Sequence, residues 1–278
     1  YAANLPLAWM MGSMCILTIF AIKGADLTVN GTLRKGMTAV LGIMLGTSFS
    51  PDTINHITAW SGGLALLLAN VVLTMFVTYI YYRKIGRLDH TTAYFSSAPG
   101  GFNVMYEVGE AKGGDGRSIA LIHATRILLL VMTVPIAFRY GATITSEQAT
   151  IPLFGYSGHL TGYLLMVVAG VVGYWLGGIL RLPAYHLLGP MFASGVLSIA
   201  GVIDVMPPMI LIYLAQLVIG SAIGLRFLGT TLGEIKRIIL LSCGSTALMI
   251  LLATGLSLLF ATYVGISVPG LVLALSPG

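Results

Sequence analysis

Charge is what this chain has least of. Only 8% of its 278 residues are Asp, Glu, Lys or Arg, against about 25% in an ordinary soluble domain. Hydrophobic residues reach 57% and the mean hydropathy is +0.94. A soluble domain of this size would leave much of that apolar surface in water, because surface shrinks only slowly relative to volume as a chain grows. A bilayer removes the difficulty by acting as the solvent. The net charge of +5 does not point to nucleic acid either. The basic residues come in twos and threes between apolar runs, where they orient loops rather than build one basic face. Cysteine is scarce too: Cys15 and Cys243 both lie in apolar runs and read as small buried hydrophobes. There is no disulfide framework, metal-ligand spacing, P-loop or nucleophile triad. The expectation is a protein that is no enzyme and holds no cofactor or metal.

What is abundant is glycine, at 35 residues, as suits membrane helices that must approach closely. Gly42-xxx-Gly46 and Gly220-xxx-Gly224 are small-xxx-small faces whose first use is helix packing. Runs able to span a bilayer need about 17–25 apolar residues. They predict helices near 5–22, 32–49, 57–82, 117–138, 160–180, 183–203, 207–228 and 235–264. Trp9, Trp60 and Trp175 serve as anchors or packing groups, and Asp26, Asp52 and Asp204 sit in short solvated loops.

The chain also repeats itself. Leu5-Pro6 through Met11-Gly12-Ser13-Met14 matches Leu182-Pro183 through Leu188-Gly189-Pro190-Met191 at an offset of 177. Leu41-Gly42-Ile43-Met44-Leu45-Gly46 with Phe49 matches Ile219-Gly220-Ser221-Ala222-Ile223-Gly224 with Phe227 at an offset of 178. The latter offset carries Ala98-Pro99-Gly100 onto Ser276-Pro277-Gly278. The expected organisation is a first repeat over 1–140, a connecting loop over 141–159 and a second repeat over 160–278. A helix at 160–180 precedes the second Leu-Pro and 102–140 follows the first Pro-Gly-Gly, so the repeat predicts a native polypeptide longer at both ends.

Segment 90–112 is unlike the others. It carries Ser96, Ser97, Asn103, Glu107 and Glu110 around Pro99-Gly100-Gly101, and each side of the break is about ten residues, roughly 15 Å of helix or half a bilayer. If it crosses, the repeats are parallel and Lys and Arg divide almost evenly between the two sides. If it enters and leaves on one side, every Lys and Arg except Arg139 and the intrahelical Arg126 falls on a single side. The positive-inside rule prefers the hairpin, and the resulting odd number of crossings per repeat makes the repeats inverted.

A Pro-Gly-Gly break at membrane depth leaves backbone groups unpaired, which is tolerated only against protein or a wet cavity. Glycine lets the backbone approach a ligand, and the half-helix that follows points its positive end at the site. A plain proline kink is the alternative reading. Arg126 lies nine residues beyond Arg117, and its charge near mid-membrane costs about 2.5–3.5 kcal/mol on insertion scales. A carboxylate (Glu107, Glu110 or Asp115), backbone carbonyls or an anionic ligand would offset that cost. His123 is three residues before it, on the same face. A structural ion pair and a substrate or proton site both remain open.

The segments Arg181-Leu-Pro-Ala-Tyr-His-Leu-Leu-Gly-Pro-Met191, Gln216-Leu-Val-Ile-Gly-Ser-Ala-Ile-Gly-Leu-Arg-Phe227, Ser97-Ala-Pro-Gly-Gly101 with Asp115, and the Arg126 helix ending at Pro135 resemble the AbrB family of bacterial membrane proteins, over nearly the whole chain. Members carry labels as regulators or ammonia monooxygenases. The resemblance implies a multi-pass protein of the bacterial inner membrane, similar to the broad group of inverted-repeat cation–proton antiporters and anion transporters. The family name is shared with a soluble DNA-binding regulator, yet nothing here looks like its DNA-binding domain, and no copper or iron ligand cluster supports monooxygenase chemistry. Ser13 stands where Pro190 does, and Thr47-Ser48 where Leu225-Arg226 do.

The expected fold is thus an all-α polytopic membrane protein of two inverted, transporter-like repeats, each with a re-entrant or broken helix at Pro-Gly-Gly. The expected function is secondary transport of a small anionic or polar solute. Ser96, Ser97, Pro99, Gly100, Gly101, Asn103, Arg126, Ser276, Pro277 and Gly278 would bind it, and His123 or Glu107 would couple protons. The partners are the bilayer, the solute and a second copy in a homo-oligomer, with no nucleic acid. The rival is a membrane-embedded sensor or regulator of gene expression that acts through a partner.

Overall fold

The computed structural model describes residues 7–51, 57–99, 102–141, 153–154, 160–229 and 232–276. All regular structure in them is helical. The helices are α1 (Ala8–Ile22), α2 (Gly31–Thr47), α3 (Ile57–Lys84), α4 (His90–Ser97), α5 (Phe102–Ala111), α6 (Gly116–Gly141), α7 (Leu160–Ile179), α8 (Tyr185–Ile199), α9 (Met209–Gly224), α10 (Leu232–Val264) and α11 (Val268–Leu275), with a 3-10 turn at Leu225–Phe227. Five are long and apolar enough to cross a membrane: Gly62–Lys84, Gly116–Val134, Leu160–Ile179, Met209–Phe227 and Lys236–Val264. Their outer faces fit lipid. On α3, Leu64, Leu68, Val72 and Phe76 are all more than half exposed at four-residue spacing, which is one stripe of a helix.

Short polar residues start the helices where the sequence turns from loop to apolar run. The Asn30 side chain accepts hydrogen bonds from Thr32 and Leu33 N–H, and Ser267 accepts from Gly270 N–H, filling donors that a helix start leaves open. The duplication reaches the backbone. The residues that enter α1 and α8, Leu7 (φ 56°) and Ala184 (φ 47°), are both left-handed without being glycine, and Gly24 (φ 81°) and Gly201 (φ 70°) close the same two helices. Arg87 (φ 53°) and Gly265 (φ 70°) lead into α4 and α11. An energetically disfavoured backbone recurring at offsets of 177 and 178 is not explained by generic glycine-rich helices.

The halves grip each other reciprocally. A Cβ on Gly42 would run into the Leu187 carbonyl, and one on Gly46 into Met191 and Ser194, so α2 lies on α8. The matching glycines, Gly220 and Gly224, lie on Met10 and Met14 of α1 in the same way. In both pairs the contacts rise together along the two chains, so α1 is parallel to α9 and α2 to α8. The third pair, α3 with α10, is antiparallel: Gly63 meets Val264 and Ile266, Tyr82 OH is 2.8 Å from Ser245 Oγ, and Arg237 donates to Gly86 O at 2.9 Å.

Segment 90–112 folds back on itself. Gly109 of α5 faces Phe95 of α4, and Gly114 faces Thr91 and Thr92. Thr92 Oγ1 accepts from Asp115 N–H at 2.7 Å, and Thr92 N–H donates to Asp89 Oδ2 at 2.9 Å, so the fully buried Thr92 pins both ends of the hairpin together. Slight burial pushes the Asp89 carboxyl up, but hydrogen bonds from the Thr92 side chain and from backbone N–H groups at 89, 91 and 92 outweigh it and hold it below the usual carboxylate value. With the folded value depressed, the cap stabilises fully above the unfolded value of about 3.9 and fades as pH falls through the lower folded value. Thr92→Val keeps the shape and leaves Asp115 N–H without its partner. Unfolding free energy is expected to fall by about 1–3 kcal/mol, read from denaturant melts of the purified protein. An unchanged midpoint would mean that the ends are held by something else.

One expectation needs correcting. Cys15 is half-buried, with its Sγ 3.8 Å from Met132 Sδ, but Cys243 is exposed on α10. A hydrophobic run in a membrane helix does not say which face looks into the protein, because the outer face is as apolar as the inner one.

Candidate functional site

Pro99 generates the site. It has no N–H, so the carbonyl four residues earlier, Phe95 O, has no helical donor, and the last bond of α4 is Ala98 N–H to Tyr94 O at 3.2 Å. Two side chains from α6 cover the open carbonyls. His123 Nε2 lies 2.9 Å from Phe95 O, and Arg126 Nη2 lies 3.3 Å from Ala98 O and 2.9 Å from His123 Nδ1. The partners dictate the tautomer. Nε2–H donates to the Phe95 carbonyl, so Nδ1 accepts from the guanidinium, which requires a neutral ring. A second proton on His123 would set an N–H against an N–H and break its bond to Arg126.

The chain keeps this corner away from its surface. Ser96 and Ser97 are 0% exposed, His123 1% and Arg126 5%. Ser97 Oγ donates to Tyr94 O at 2.7 Å. Arg126 Nη1, Ser96 Oγ and Thr125 Oγ1 are buried without a hydrogen-bond partner among the described residues, as are Ser242 Oγ and Thr246 Oγ1 on α10 and Asn70 Oδ1 on α3. Each such atom ordinarily costs about 1–3 kcal/mol. Tyr82 of α3, Ala93 of α4 and Ile122 of α6 share one core cluster, and the Tyr82–Ser245 hydrogen bond ties α10 to it. Arg126 lies near enough to Tyr82 to act on it electrostatically. Four helices thus meet at the end of α4.

At the end of α11, Asn70 Nδ2 donates to Leu275 O at 2.9 Å, so a neutral amide from α3 covers a carbonyl of the last turn there. Ser276 Oγ turns back to Val272 O at 2.7 Å. Of the residues expected from sequence, Ser96, Ser97, His123 and Arg126 come together at the first break, with Pro99 half-buried beside them. Glu107 is exposed on α5. Of the offsets considered for Arg126, backbone carbonyl and imidazole are the ones present, and no carboxylate bonds it among the described residues. Gly100, Gly101, Pro277, Gly278 and the Asn103 side chain lie outside the described residues, and so does the expected meeting of the two Pro-Gly tips. Sequence reading missed Asn70, Tyr82, Ser242, Ser245 and Thr246. Its available signal was polar spacing of four, Asn70, Thr74, Thr78 and Tyr82, within an otherwise apolar span.

The family model described as "Transition state regulatory protein AbrB" matches residues 9–278. The chain belongs to the AbrB family. It is similar to "Putative regulator AbrB" of Escherichia coli (strain K12), 27% identical over 227 residues, which is 81% of this chain and 65% of that protein. It is also similar to "Uncharacterized protein YhjN" of Bacillus subtilis (strain 168), 22% identical over 298 residues, 99% of this chain and 77% of that protein. The chain therefore spans about 65% of the length of the Escherichia coli relative. No solved structure matches it significantly.

Proposed function

We propose that this AbrB-family chain is a secondary transporter of a small anionic solute in the bacterial inner membrane, built from two inverted repeats. One observation carries the reading. Arg126, buried in a membrane-type helix, spends one nitrogen on a broken helix and has no hydrogen-bond partner for the other among the described residues. A guanidinium held in place with a free N–H suits a carboxylate or phosphate oxygen, and Ser96 and Thr125 add hydroxyls there. Broken half-helices at a repeat interface are the usual home of transporter substrates. Inversion is supported by helix directions. Arg34 at the start of α2 shares a cavity with Ala222 and Arg226 at the end of α9, so α2 runs opposite to α9 and to its parallel partner α1. Because α8 is parallel to α2, it points opposite to α1, its counterpart in the repeat.

The test is uptake by the full-length protein in proteoliposomes, over a panel of mono- and dicarboxylates, phosphate and sulfate, with and without a proton gradient. Saturable uptake that depends on protein is expected. Protein shown to be folded that moves none of the panel would end the transport reading.

A second reading has support of its own, since the family model and the Escherichia coli relative are both named regulators. In it the same pocket binds the anion without moving it and signals through a partner. Binding without flux, together with a stable copurifying protein, would select it. Either reading leaves the chain without catalytic chemistry, and both accommodate a homo-oligomer.

A further inference from the structure

A pair of arginines meets at the corner between the start of α2 and the end of α9. The loop at 27–29, the first turn of α2 and the 3-10 turn after α9 line an open cleft of about 290 Å³. Arg34 and Arg226, both half-buried, line it together with Thr28, and the rest of its lining is apolar. Two like charges brought to one partly desolvated corner repel, and the corner also holds the N-terminal, positive end of α2.

The chain supplies its own control. The repeat carries Arg34 onto Ile212 and Arg226 onto Ser48. The repeat-related positions therefore hold an apolar side chain and a hydroxyl. Packing this joint does not require arginine at either place. A topogenic role would need the charges on the right side of the membrane, but would not need them to converge on one cavity.

We propose that this corner binds a phosphate-type anion, gripped by the two guanidiniums with Thr28 Oγ1 as a further hydrogen-bond donor. Arginine forks match the oxygens of such a group in pairs, and the apolar remainder of the lining suits either the acyl side of a lipid phosphate or a small dry pocket for a free one. The site shares no residue with the α4 break, and Arg226 lies near enough to His123 to act on it electrostatically.

The experiment follows the melting temperature of the full-length protein. In one arm, detergent-solubilised protein is titrated with inorganic phosphate against chloride at equal ionic strength. In the other, nanodiscs of phosphatidylcholine alone are compared with nanodiscs containing phosphatidylglycerol. A ligand that binds only the folded state raises the midpoint with concentration. A rise with phosphate identifies a soluble anion, and a rise only with phosphatidylglycerol identifies the lipid headgroup. The Arg34→Ile, Arg226→Ser protein, which carries the residues of the repeat-related positions, is expected to fold and to lose the response at least tenfold in apparent affinity. Arg34→Gln serves as a milder second variant. No rise in either arm, or an equal rise in both variants, overturns the proposal.

Discussion

Arg126→Gln is expected to fold normally and to lose solute uptake by roughly 10- to 150-fold. The range corresponds to a lost charge-assisted hydrogen bond of about 1.5–3 kcal/mol at about 1.4 kcal/mol per decade. The fold survives because two effects offset each other. Gln can still donate to Ala98 O, so about one neutral hydrogen bond is lost, worth about 0.5–1.5 kcal/mol. Removing a charge from mid-membrane returns about 2.5–3.5 kcal/mol on insertion scales. Arg126→Lys keeps the charge without the planar fork and should fall between wild type and Gln. Because His123 is held neutral by what its two nitrogens touch, His123→Gln is expected to leave the shape of the pH dependence of uptake between about pH 5 and 8 unchanged, although an ordinary histidine titrates there, and to leave Arg126 bonded to Ala98 O. Initial rates in proteoliposomes against internal and external pH measure both. Uptake by Arg126→Gln at the wild-type rate, in protein with a wild-type melting temperature, would remove Arg126 from the site.

Gly46→Leu should instead destroy the fold's central joint. A Cβ at Gly46 already falls on Ser194 Oγ, the Met191 carbonyl and Gly195 N. Two of these three atoms are backbone, which cannot step aside without moving α8 as a whole. The matched position behaves alike: a Cβ on Gly224 would stand 2.6 Å from Met14 O and 3.0 Å from Thr18 N. Overpacking usually costs about 1–3 kcal/mol and more where backbone is hit, so a loss of about 3 kcal/mol or more is expected, lowering the melting temperature by roughly 6–12 °C or leaving the protein aggregated in detergent. Gly36→Ala is the internal control. It lies on the same helix with nothing within 4 Å of its added Cβ, and should stabilise α2 by up to about 1 kcal/mol through helix propensity. If Gly46→Leu melted like wild type, the reciprocal packing of α2 on α8 would be wrong.

Much of this was legible before any coordinates. The helices fall within a few residues of the apolar runs because a bilayer-spanning chain must satisfy its backbone internally, and length and hydropathy leave little else to choose. The 90–112 hairpin was legible from the side on which Lys and Arg collect. Arg126 stood out as a charge within an apolar run. What stood out less was polar without charge. Asn70 and Tyr82 look ordinary in a list of residues, and their roles appear only when α3 is laid along α10 and α11. For Arg126 the sequence left several offsets open, and the structure supplies the Ala98 carbonyl and the His123 ring rather than Glu107, Glu110 or Asp115.

The sequence by itself determined that the chain is helical and of membrane type, that its motifs recur at offsets of 177 and 178, and that a helix breaks at Pro99. Composition, periodicity and the absence of a proline N–H are local properties and need no partner to act. Tertiary structure decided which faces of those helices look inward, which side chains cap the open carbonyls, and that Arg34 and Arg226 share one corner. In an apolar solvent hydropathy no longer distinguishes inside from outside, so only the close approach of glycine faces and the pairing of buried polar atoms sets the arrangement.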